Sequence, residues 1–183
     1  GHVYIIFFVH EIFVNKITLP LYKIFKDEDL MLKTLVGYAE KVINNPVKEE
    51  RDKNFKADLA SLNELYKQKK KEVSLPLNFK YRVKGLIVEK CKIMQSKKKP
   101  LWLTFENADP FGEPIVCMLK CGDDLRMDMV TLQLFQSMQT LWFENGLKVK
   151  MALYKVLCTG NMQGMLEMVR NSDTLANIHV QEA

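Results

Sequence analysis

With 183 residues, 48% of them hydrophobic and 27% charged, the chain has material for one domain, or for one small domain and part of another, and it is too apolar to be disordered throughout. The formal net charge of +5 gathers in lysine runs such as Lys69 to Lys71 and Lys97 to Lys99, which suits phosphate or an anionic lipid better than a nucleic-acid groove. The four cysteines, Cys91, Cys117, Cys121 and Cys158, form no Cys-x-x-Cys pair beside a histidine, so reduced, partly buried thiols are expected rather than a zinc site.

The chain begins at Gly1 and its first methionine is Met31, which leads to the expectation of a piece cut from something longer. Val3 to Val9 is apolar but has neither the basic region before it nor the small-residue cleavage site after it that a secretory signal needs. His10, Glu11, Asn15 and Lys16 interrupt it too early for a membrane span. Periodicity alone leaves His2 to Ile12 open between buried helix and strand. From Leu30 to Ile43, the apolar residues Leu32, Leu35, Val36, Ala39, Val42 and Ile43 recur at intervals of three and four, predicting an amphipathic helix that Asn44-Asn45-Pro46 ends. Phe55, Leu59, Leu62, Leu65 and Tyr66 predict a second helix from about Arg51 to Lys71.

Ser74-Leu-Pro-Leu-Asn78 changes the pattern and marks the expected domain boundary, with residues 1–73 before it and 74–183 after it. Beyond it, five short apolar segments read as strands of an antiparallel sheet: Leu86 to Met94, Leu101 to Glu106, Ile115 to Lys120, Val149 to Lys155 and Met165 to Val169. Asn107 to Gly112 supplies the turn between the second and third. Asp123 or Asp124 can cap a helix in which Met129, Leu132, Phe135, Met138, Leu141 and Trp142 line the side that packs on the sheet, and Gly146 closes it. The fold class is therefore α+β: a helical segment, then a five-stranded antiparallel sheet with one packed helix.

Val116 to Leu134 places Lys120 at the end of a strand, then a turn, then a helix carrying Asp128. A lysine so placed can be held between acidic groups and aimed at a phosphate, as in ATP-dependent phosphoryl transfer. The string Lys120-Cys-Gly-Asp-Asp-Leu-Arg-Met-Asp-Met129 resembles the lysine-bearing strand of phosphatidylinositol 3-kinases, whose usual form is Lys-x-Gly-Asp-Asp-Leu-Arg-Gln-Asp-Met. Met94-Gln-Ser-Lys-Lys-Lys-Pro-Leu-Trp102 is similar to the family's phosphate-covering loop. Gly164-Met-Leu-Glu-Met-Val-Arg-Asn171 resembles the segment that joins the two kinase lobes. Met127 departs from the family's glutamine, which would alter local polarity without touching the lysine.

The resemblance favours the catalytic subunit of a class I enzyme and tips the first segment to helix, as the end of a helical domain. The sheet and its helix would then be a kinase small lobe. It implies ATP and Mg2+ as cofactors. It also implies a phosphoinositide at a membrane surface as substrate, a regulatory subunit as partner, no nucleic acid, and a cytoplasmic location at the membrane's inner face. Lys120 would meet the α-phosphate. Ser96, Lys97 and backbone N–H groups would meet the other phosphates, Pro100 would fix the loop, and Met94 and Trp102 would wall the adenine. Glu167 and Val169 would offer backbone groups to adenine, with Leu166 and Met168 as walls. Met118 and Tyr154 would line the deeper part, and Asp128 would hold a hydrogen-bonding network at its back. The apolar members of this set are equally readable as core positions.

The family's Asp-Arg-His-x-x-Asn and Asp-Phe-Gly motifs, which carry the attacking-hydroxyl and magnesium chemistry, do not occur in these residues. Transfer of the ATP γ-phosphate to the 3-hydroxyl of a phosphoinositide is thus expected of a longer protein, and no activity of this chain alone. The second reading is a non-catalytic interaction module that binds regulators or the full-length kinase.

Overall fold

The structure is a computed structural model and describes residues 19–69, 72–169 and 171–173. The apolar run of residues 2–12, read above as a helix, lies outside them.

Two helices come first. Helix α1 spans Leu19–Asn44 and α2 spans Lys48–Lys69. The stripe expected from Leu30 onward is there, since Met31, Leu35, Ala39 and Val42 are buried on α1, as are Phe55, Leu59 and Leu62 on α2. Ile43 and Leu65, read as part of these stripes, are exposed. Helix α1 starts well before Leu30; the stretch Lys26 to Asp29 within it is charged rather than striped, and Lys33 binds Asp29 at 2.7 Å one turn away. Lys41 on α1 reaches Asp58 on α2 at 2.9 Å.

The sheet consists of β1 (Val73–Leu75), β2 (Asn78–Leu86), β3 (Lys92–Ile93), β4 (Leu101–Asn107), β5 (Ile115–Cys121), β6 (Val156–Gly160) and β7 (Gln163–Glu167). It is antiparallel throughout, in the order β1-β2-β4-β5-β7-β6 with β3 on β4. Helix α3 spans Arg126–Glu144. Helices followed by an antiparallel sheet with a packed helix bear out the α+β class and agree with a kinase small lobe. The strand list needs correction. Leu86 to Met94 is only the end of β2, a 3-10 turn at Val88–Lys90 and the two residues of β3. Val149 to Lys155 forms no strand, and the strand expected there is β6, which hairpins with β7.

Strand β5 sorts the molecule into two faces. Ile115, Cys117, Leu119 and Cys121 are buried while Val116, Met118 and Lys120 are half-buried, the period-two alternation of a strand. The buried set joins Leu101, Leu103, Phe105 and Met165 with the inner residues of α1 and α2 in one core. Helices and sheet therefore share their packing across the boundary expected at Ser74. Helix α3 stands by β6 and buries none of its residues. Of the six expected to line its packed side, Phe135 and Leu141 are exposed and the other four only half-buried. Asp124 accepts from the Arg126 N–H at 3.1 Å, although Leu125 holds the capping position itself. Gly146, at φ 78°, closes the helix as expected.

Asn63 on α2 fastens the helix pair to the sheet. Its amide accepts from Leu86 N–H at 2.9 Å and donates to Leu86 C=O at 3.0 Å, standing in for a neighbouring strand. Asn63→Ala leaves both backbone groups without these partners at a buried residue, a loss of about 2 kcal/mol. Chemical denaturation is expected to show a lower midpoint with an unchanged slope, whereas an unchanged midpoint would mean that water replaces the amide.

Candidate functional site

Antiparallel register sets the candidate residues abreast, because residues paired across strands share a face. Lys92 pairs with Trp102, Trp102 with Met118, Met118 with Leu166, and Leu166 with Val156. This row lies on the face of β5 turned away from the helix pair. The Lys92 ammonium sits 5.0 Å from the centre of the Trp102 ring, a cation–π contact that sequence reasoning missed because β3 is only two residues long.

Two residues further along β5, Lys120 pairs with Gly164. A Cβ at Gly164 would stand 2.5 Å from Leu157 C=O and 2.8 Å from Leu125 Cδ1. Leu125, at the start of α3, thus covers the glycine on the face that Lys120 shares. The Lys120 ammonium lies 3.7 Å from an Asp123 carboxylate oxygen, both side chains about one-third exposed. Such a pair steers the lysine while leaving ammonium donors for a ligand. Asp123 was read only as a helix cap. The spacing Lys-x-x-Asp across a glycine turn was the signal for its pairing, and Gly122 has the positive φ of 90° that this turn needs.

The loop between β3 and β4 closes on itself. Met94 N–H donates to Pro100 C=O at 2.9 Å, Ser96 N–H to Met94 C=O at 3.0 Å, and Lys99 N–H to Ser96 C=O at 3.1 Å. Pro100 is buried and Met94 half-buried, while Ser96 and Lys97 are exposed. Lys98 donates to Gly122 C=O at 2.9 Å, which ties this loop to the turn that follows Lys120.

Asp128 and Tyr154 come together in another place. They line a cavity of about 370 Å³ between α3 and residues 151–154, with Met127, Leu132 and Phe135. Lys120, Trp102, Met118 and Leu166 are not among its lining residues. Glu167 turns the other way. It pairs with Cys117 on β5 and accepts from the Tyr81 hydroxyl at 2.5 Å, and its N–H donates to Lys155 C=O. Its side chain is thereby anchored away from the Met118 face. Met168 N–H donates to Val116 C=O at 3.2 Å, so Val169 lies just past the last pairing with β5.

The residues present suit the parts of a nucleotide unequally. An apolar row ending in a backbone edge fits a purine, and Lys120 with the 94–100 loop fits phosphate. Among the described residues no three His, Cys, Asp or Glu side chains gather as a metal site. The cysteines are free and buried. Burial pushes the Cys117 thiol up and Cys121 up to about 11, so both stay protonated. Among the described residues, no helix is long and apolar enough to cross a membrane.

Residues 114–183 match the family model described as phosphatidylinositol 3- and 4-kinase. Over those residues the chain belongs to the phosphatidylinositol 3- and 4-kinase family. The chain is 37% identical over 157 residues to phosphatidylinositol 3-kinase 3 of Dictyostelium discoideum, covering 84% of this chain and 9% of that protein. It is 40% identical over 153 residues to the phosphatidylinositol 3-kinase C2 domain-containing subunit gamma of Rattus norvegicus, covering 84% and 10%. Phosphatidylinositol 3-kinase 2 of Dictyostelium discoideum is 47% identical over 105 residues, covering 57% and 6%. The chain therefore spans a tenth or less of the length of these relatives. C2-domain-containing kinases stand among them, so the likeness is to phosphatidylinositol 3-kinases broadly and not to class I in particular.

Gly164→Ala forces a methyl into Leu157 C=O and Leu125 and is expected to cost about 1–3 kcal/mol. A denaturation midpoint equal to the parent's would mean that β6 and β7 can separate at Gly164.

Proposed function

We propose that this chain is the ATP-facing small lobe of a phosphatidylinositol 3-kinase, together with the helices that precede it. The complete protein would transfer the ATP γ-phosphate to the 3-hydroxyl of a phosphoinositide at the cytoplasmic face of a membrane, with a regulatory subunit as partner. The observation that carries this reading is the placement of Lys120. It stands on the open face of β5, steered by Asp123, one step along from the apolar row Trp102–Met118–Leu166.

In this reading ATP, when bound, supplies the phosphoryl group. The Lys120 ammonium offsets charge on the α-phosphate. Asp123 orients the amine, and Ser96, Lys97 and the loop's backbone meet the outer phosphates. Met94, Pro100 and Trp102 wall one side of adenine. Met118, Tyr154, Leu166 and Met168 line the other side and the depth, with backbone groups of Glu167 and Val169 at the edge. Asp128 is proposed to hold polar groups at the back, in the cavity that it lines with Tyr154. Assigning residues 1–73 to the end of a helical domain and 74–183 to the lobe is part of the proposal, as is class I membership, which rests on the motif around Lys120. Magnesium ligands and the group that positions the attacking hydroxyl would come from a larger lobe.

A second reading, a non-catalytic interaction module, is favoured by one observation. Val130, Leu134, Leu141 and Phe143 on α3, with Leu147 and Val149 after it, are exposed apolar residues, and such a strip is usually covered by a partner.

The 183-residue chain is expected to bind ATP weakly and to phosphorylate no phosphoinositide. Lys120→Met should weaken ATP binding about tenfold, equivalent to about 1.4 kcal/mol, with an unchanged melting temperature. Calorimetric titration of parent and variant tests this, and equal affinities would contradict the assignment of Lys120.

A further inference from the structure

The three consecutive lysines of the 94–100 loop are used differently. Lys97 is exposed, and Lys98 reaches across to Gly122 C=O. Lys99 turns back. Its backbone adopts φ 45°, a left-handed conformation that residues with a side chain seldom take. Its ammonium donates to Ile43 C=O at 3.2 Å, in the last turn of α1. Carbonyls in a helix's last turn lack helical partners and carry the negative end of its dipole, so a cation there is favoured twice.

The other shoulder of the loop is held from the second helix. The Lys56 ammonium, on α2, donates to Val88 C=O, to Glu89 C=O at 3.2 Å and to Cys91 C=O. These carbonyls belong to the turn that leads into β3 and so into the loop. The segment running from Val88 to Pro100 is thus tethered at its start by α2 and at its end by α1.

We propose that Lys99 is a positioning residue: through it, the end of α1 holds the 94–100 loop in the shape that presents Ser96 and Lys97 to nucleotide phosphates. The proposal rests on the nucleotide reading of this face and goes beyond it. It makes the helix pair part of the phosphate site, though neither helix touches the nucleotide. It also separates Lys99 from Lys97, which sequence alone presents as equivalent charges. A shift of α1 relative to the sheet would then change ATP affinity through this one contact.

Lys99→Gly and Lys99→Arg in the full 183-residue chain test the tether. Glycine keeps the positive φ and removes the ammonium, so backbone strain is not confounded with loss of the contact. Arginine keeps a cationic donor. Hydrogen–deuterium exchange read by mass spectrometry on the nucleotide-free chain should show amides 94–100 exchanging about tenfold faster in the glycine variant, the scale of one lost charged hydrogen bond, and near the parent rate in the arginine variant. ATP titration should show a loss of affinity of about the same size in the glycine variant alone. Equal exchange in glycine variant and parent overturns the proposal whatever the nucleotide result. Loosening in the glycine variant without ATP binding to the parent supports the tether and contradicts the nucleotide reading instead.

Discussion

The alternation along β5 is the constraint on which the other features depend. Cys117, Leu119 and Cys121 can enter the core only if Met118 and Lys120 face the opposite way. A slip of one residue against β4 or β7 would put the Lys120 ammonium among apolar side chains and Leu119 on the open face. The cost of burying an unpaired ammonium makes that register improbable. The same core that holds the sheet together therefore fixes the direction of the lysine.

That core is built from both sides of the expected domain boundary. The helix pair contributes Leu35 and Leu59, each fully buried, opposite Leu101, Leu103 and Leu119. Apolar packing of this kind supplies adhesion without direction. Direction comes from polar contacts at its edge, where Asn63 engages the backbone of Leu86, Lys56 the turn before β3, and Lys99 the end of α1. Each donates to a backbone carbonyl, so each fixes the position of main chain rather than of another mobile side chain. The open face, by contrast, is left to Trp102, Met118 and Leu166, with α3 at its far side.

Much of this was legible in the sequence, for physical reasons that also explain the remainder. The stripes of α1 and α2 and the alternation of β5 are signals of one-sided burial, and they mark the buried faces except at the edge residues Ile43 and Leu65. Strand β2 carried its own signal, since Phe79-Lys80-Tyr81-Arg82-Val83-Lys84 alternates apolar and charged residues, but it is less apolar than the runs read as strands, and Arg82 reaches out to Glu72 at 3.0 Å. The stretch from Val149 to Lys155 has the continuous apolar run Met151 to Tyr154 but forms no strand pairing. Met151 N–H goes instead to the Gln139 side chain at 2.6 Å, since pairing depends on a partner that periodicity cannot reveal. The turn Asn161–Met162 follows Gly160 and brings β6 back onto β7, with Met162 rather than a glycine at the positive φ of 53°. In the candidate site, the motif around Lys120 placed the lysine, whereas the role of Asp123 depended on which of two adjacent aspartates the helix start would use. Asp124 takes the Arg126 backbone and side chain, leaving Asp123 for Lys120. The needs of Gly164 came from a neighbour, Leu125, that lies far from it in sequence.

The central claim is that Lys120 is aimed at the α-phosphate of a bound nucleotide. An ATP analogue carrying an acyl phosphate, which transfers its acyl group to an amine beside the phosphates, tests this directly when the labelled chain is digested and mapped by mass spectrometry. Label on Lys120 that excess ATP suppresses is the predicted result. Label confined to Lys97, Lys98 or Lys99, with Lys120 unmodified, would contradict the account.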